Sequence, residues 1–106
     1  MTTLIVLFNL KPGADVQAYE NWAKTTDLPI VRKLPSIASF NVYRSAGLLG
    51  GDGQAPYQYV EVLDVTDMQQ FGSDVGTDVM AKVAGEFREF ADSPAFMLTS
   101  SIEQEG

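Results

Sequence analysis

Two stretches of this chain open a helix with the same five-residue grammar. Asp15-Val16-Gln17-Ala18-Tyr19 and Asp67-Met68-Gln69-Gln70-Phe71 both read Asp, apolar, Gln, small or polar, aromatic. Each follows a β-branched, apolar run with the look of a strand, Thr3–Leu10 and Tyr57–Val65. An Asp at such a point accepts hydrogen bonds from the unpaired N–H groups of a first helical turn. Two βα units of like design within 106 residues predict a βαβ–βαβ chain. That order is ferredoxin-like α+β: one domain over 1–106, with a four-stranded antiparallel sheet and helices on one face.

The remaining elements follow from periodicity and breakers. Asp15 caps a helix to about Thr26, with Val16, Tyr19, Trp22 and Ala23 as its buried stripe. Leu28-Pro29 is predicted to end it, because the residue before Pro is pushed out of the α region. Ile30–Leu34 adds a short helical turn, and Ile37–Ser45 is the second strand. Thr66, with Gln69 three residues on, reads as a capping box for a short helix that fades at Gly72 or Gly76. A longer helix runs from Thr77 to about Ala91 until Asp92-Ser93-Pro94 stops it. Phe96–Ile102 is the fourth strand, and the tail Glu103–Gly106 is expected to fray.

Strands one and three are apolar on both alternating faces, whereas a solvated face would be mostly polar. Leu4, Val6 and Phe8 alternate with Ile5 and Leu7; Tyr59, Glu61 and Leu63 alternate with Val60 and Val62. The simplest cover for the second face is the same face of another copy, giving a homodimer whose two sheets enclose a barrel. The face carrying Tyr59 and Glu61 is the one expected to pair.

Charge and composition remove several function classes. A formal charge of −7 disfavours nucleic acid and anionic membrane surfaces. No apolar run approaches the ~20 residues of a membrane span, and the opening MTTLIVLFNL lacks a basic leader, so a cytoplasmic domain is expected. With neither Cys nor His, histidine-based triads and thiol nucleophiles are impossible, and zinc is disfavoured. The acidic residues fall at turns and helix starts, so neither metal nor cofactor is expected. GLLGGDGQ lacks the Lys-Ser/Thr of a phosphate loop and reads as a hairpin connection.

Asn41, Tyr43, Tyr59 and Glu61 form a polar set on strands that otherwise bury both sides. Such groups need partners, which either a dimer interface or a ligand pocket supplies. Asp27 poses a similar question. A carboxylate is disfavoured at a helix end, where the dipole is negative. It either caps the turn opening at Leu28-Pro29 or faces a cavity as an acid/base.

The segments NLKPG, YENWAKTTDLPIVRKLPSIASFNVYR, PYQYVEV and FADSPAFML together resemble the REDY-like (HapK) family, over nearly the whole chain. The resemblance implies a dimeric α+β barrel and a place in prodiginine-type pyrrole or bisindole pathways. Trp22 to Pro29 is also similar to the EthD-like aromatic–x–x–x–His–x–Pro segment, with Asp27 where that family often places His. The expectation is a cofactor-free enzyme with Asp27 as acid/base. A small aromatic ligand would be held by Trp22, Asn41, Tyr43, Tyr59 and Glu61. A carrier that shields an intermediate and a purely structural dimer are the alternatives.

Overall fold

The computed structural model describes residues 1–103. Strands β1 (Thr2–Leu10), β2 (Ile37–Arg44), β3 (Tyr59–Val65) and β4 (Ala91–Thr99) form one antiparallel sheet in the order β2-β3-β1-β4. Between β1 and β2 run α1 (Val16–Trp22), a π turn (Ala23–Asp27) and α2 (Leu28–Val31). Between β3 and β4 run α3 (Met68–Asp74) and α4 (Asp78–Phe90). This is the predicted ferredoxin-like tandem, with the helices on one face.

The core lies where that helical layer meets the sheet. Burial alternates strictly along β1 and β3, so Leu4, Val6, Phe8 and Leu10 meet the helices beside Tyr59, Glu61, Leu63 and Val65. Phe8 is fully buried at the centre, its ring 5.6 Å from Tyr19, 5.5 Å from Tyr59 and 4.9 Å from Phe87. Ile5, Leu7, Val60 and Val62 point the other way and are half-buried. Tyr59 and Glu61 therefore lie on the helix-covered face, and the uncovered face is the other one. Sequence reasoning assigned the faces the wrong way round, because the two-residue period says which side chains share a side but not which side meets the helices.

Four element boundaries differ from expectation. The first helix passes through Leu28-Pro29 by opening into the π turn. The second helix is capped by Asp67 rather than Thr66: its carboxylate accepts from the Gln69 and Gln70 N–H groups. Thr66 instead donates its N–H to the Ser36 carbonyl at 2.8 Å. Strand β3 begins at Tyr59 because the Gln58 side chain replaces strand pairing there, its Oε1 accepting from Leu10 N–H at 2.6 Å. Strand β4 starts at Ala91 and contains Asp92-Ser93-Pro94. On an edge strand the missing proline N–H costs no ladder bond. The register slips between Leu7 and Asn9, and Ser93 takes a left-handed φ of 46°, so the breaker becomes a bulge. The tail expected to fray lies outside the described residues beyond Glu103.

Candidate active site

Tyr19, Ala23, Asp27 and Val31 are the buried residues of the α1–π–α2 segment, each four positions from the last. An α-helix advances about 100° per residue, so steps of four overshoot a turn by about 40° and carry such a stripe off the core. The wider π turn takes that rotation back. Its signature is the Leu28 N–H bonded to the Ala23 carbonyl, five residues earlier. Pro29 has no N–H to give and its ring crowds the carbonyl four residues before it, which favours opening the helix at this point. The Thr25 hydroxyl donates to the Asn21 carbonyl at 2.8 Å within the same turn.

Asp27 is thereby held 5 % exposed on the core side. Its backbone is helical and its side chain makes no cap bond, so it does not open α2 as an N-cap. Glu61, from the middle of β3, is 6 % exposed, and its Oε2 has no hydrogen-bond partner among the described residues. Both carboxyls line a cavity of about 370 Å³ walled by Met80, Val83, Phe87 and Phe96, with Arg88 also on its lining. Burial pushes Asp27 up to about 7. Burial, then the charge of Asp27, pushes Glu61 up to about 8. The Tyr19 hydroxyl, buried in the field of Glu61 and Asp27, has no partner among the described residues either, and burial shifts its ionisation well upward. Burial thus keeps both carboxyls protonated to higher pH than free ones, which is the arrangement of a pair able to share a proton.

A second cavity of about 350 Å³ opens beside it, against Tyr19, Ala23, Leu28, Val42 and Tyr59. At its rim the Tyr59 hydroxyl donates to Glu20 Oε2 at 2.7 Å. Arg44 Nε donates to the same oxygen at 2.7 Å, and a second guanidinium N–H reaches Oε1. Arg44, then Tyr59, holds the Glu20 carboxyl down to about 2. Burial, then the bond to Glu20, raises Tyr59 to about 12.

The family model described as "REDY-like protein HapK" matches residues 2–102. The chain belongs to the HapK family of REDY-like proteins. The crystal structure of HapK from Hahella chejuensis is similar at TM-score 0.79 and 29% identity, covering 100% of this chain and 97% of that one. An ethyl tert-butyl ether D (EthD) family protein from Bacillus halodurans gives TM-score 0.73 at 22% identity, over 96% of this chain and 99% of that one. A protein from Thermobifida fusca described as a dimeric ferredoxin-like protein gives TM-score 0.71 at 14% identity, over 94% and 90%. The last two show the fold. No curated protein sequence matches the chain.

In this HapK-family chain the six residues singled out from sequence are not one constellation. Asp27 and Glu61 share the first cavity and Tyr59 lines the second. Tyr43 lines the second cavity together with Tyr59, from a strand position that pairs with Val60. Asn41 lies on the uncovered sheet face, where its Oδ1 accepts from Arg32 at 3.1 Å. Trp22 lines neither cavity: it packs against Phe87 and Phe90 and donates its ring N–H to Glu86 at 3.0 Å. Of the pocket of Trp22, Tyr43 and Tyr59 expected from sequence, the two tyrosines share a cavity and Trp22 lies apart from it. Tyr19, Glu20 and Arg44 were missed. Tyr19 carried a usable signal, since a tyrosine in a buried helical stripe brings a hydroxyl that needs a partner. Glu20 and Arg44 carried none, because their pairing joins α1 to the far end of β2.

Proposed function

We propose that this protein is a cofactor-free enzyme of natural-product tailoring that moves protons on a pyrrole- or indole-derived intermediate. One observation carries the reading: Asp27 and Glu61 are buried together on a cavity with aromatic walls, with a proton to share near neutral pH. Ionised Asp27 removes a proton from the substrate, and protonated Glu61 delivers one to a departing oxygen. In a dehydration the C–O bond breaks as Glu61 protonates the hydroxyl, water leaves, and Asp27 takes the proton lost from the ring system. A dehydrative cyclisation uses the same two proton transfers: the new ring bond forms at the carbon that loses water, and Asp27 takes the proton from the attacking end, with the cavity holding the two ends together. HapK-family membership supports a biosynthetic role, and a cytoplasmic location is part of the same proposal.

The test uses an unstable indole- or pyrrole-derived precursor with and without protein. A changed product ratio at catalytic amounts of protein supports the enzyme. Slower decay only at stoichiometric amounts identifies a carrier instead.

The uncovered sheet face belongs to the same proposal. Ile5, Leu7, Val60 and Val62 form its half-buried centre, flanked by exposed Tyr43 and Met97. An apolar patch of this kind fits the same face of a second copy. Val62→Asp places a carboxylate at the centre of that interface and is expected to convert a dimer to a folded monomer in analytical ultracentrifugation. A parent protein that sediments as a monomer at micromolar concentration removes this part of the proposal.

A further inference from the structure

We infer that the second cavity, between the π turn and the β2–β3 edge, is a separate binding site for a planar aromatic acid. It stands independently of any acid/base role for Asp27. Its floor is aromatic and aliphatic, formed by Tyr19, Ala23, Leu28, Val42 and Tyr59, and its volume of about 350 Å³ admits one fused bicyclic ring. Its rim decides the charge of the ligand. Glu20 is already saturated: both of its oxygens accept from Arg44, and one also accepts from Tyr59. That carboxylate has no unmet demand for a further cation.

Lys24, one turn along the helix from Glu20, also lines the cavity. The only ion pair among the described residues is Arg44–Glu20; Lys24 makes no close pair there and acts on the Glu20 carboxylate only through its field. Two cations against one committed carboxylate make this rim a positive spot on a chain of net charge −7. The neighbouring cavity differs, with two buried carboxyls and Arg88 on its lining. Tyr19 stands between the two: its ring lines the second cavity and its hydroxyl lies in the field of Glu61 and Asp27. A ligand with an aromatic ring and one carboxylate satisfies the second cavity, its ring on Tyr59 and its carboxylate between Lys24 and the outer edge of Arg44.

Titration of the full-length protein with indole-3-acetate, indole and tryptamine tests this at low ionic strength, followed by methyl NMR. The acid is expected to bind about tenfold or more tighter than the amine, the scale of one charge-assisted contact. The Leu28 and Val42 methyl signals should shift, while Met80 and Val83 stay in place. Lys24→Glu, on an exposed helical position, should weaken the acid about tenfold and leave indole unchanged, whereas Lys24→Arg retains binding. Equal affinity for acid and amine overturns the inference. So do shifts confined to Met80 and Val83, or a Lys24→Glu variant that binds the acid as well as the parent.

Discussion

Asp27→Asn is expected to leave a folded protein whose turnover of an indole- or pyrrole-derived substrate falls by about 10²–10⁴-fold. Asparagine keeps the shape of the side chain but neither takes nor returns a proton. Nothing structural is lost with the charge, since Asp27 makes no cap bond and its burial opposes ionisation. The pH profile sharpens the expectation. With Asp27 near 7 as base and Glu61 near 8 as acid, the parent rate rises as Asp27 ionises and falls as Glu61 loses its proton. The two limbs belong to the coupled pair, so Asp27→Asn removes the lower limb and moves the upper one down, because a neighbouring negative charge is gone. A variant with full activity on the true substrate ends the catalytic proposal for Asp27.

The same pair makes stability depend on pH in an unusual direction. Unfolded, Glu61 releases its proton near 4.5; folded, it keeps it to about 8. Between those values the folded state binds the extra proton, so stability falls as pH rises and levels off above about 8. Asp27 adds a similar loss between 3.8 and about 7. While one such group titrates, the slope is about 1.4 kcal/mol per pH unit. Glu20, Asp64 and Asp74 act the other way, since their hydrogen bonds lower the folded values. Their stabilisation is present above the ordinary carboxylate range and lost only in more acidic solution, so the two windows separate. Glu61→Gln keeps the side-chain shape without the buried charge. Thermal melts should show a higher midpoint than the parent above about pH 8 and little difference near pH 4. A parent whose midpoint is flat across this range, or a variant equally destabilised throughout it, contradicts a raised Glu61.

Much of the architecture was legible because it rests on local chemistry. The repeated Asp-opened helices, the two-residue alternation of β1 and β3, and the apolar stripe of α4 are each written in neighbouring residues, and together they imply one layer order. Asp27 was legible as a question for the same reason: an acidic residue at a helix end stands out without any knowledge of its surroundings.

The rest was decided by packing between distant segments. Pro29 reads as a stop, yet the helix widens around it because Tyr19, Ala23 and Val31 gain by meeting the sheet, and the same stripe carries Asp27 in with them against the cost of its burial. Asp92-Ser93-Pro94 reads as a stop too, but on an open edge beside β1 it is absorbed as a bulge. Alternation groups Tyr59 with Glu61 and Val60 with Val62, and leaves open which group the helices cover, since either parity repeats every second residue. The joining of Asp27 to Glu61, and of Glu20 to Arg44 and Tyr59, has no local signature at all. Sequence determined the elements and their order, because backbone preferences act over a few residues. Only the tertiary structure decided the faces, the π turn and the two cavities, because burial and charge pairing depend on which distant segments come together.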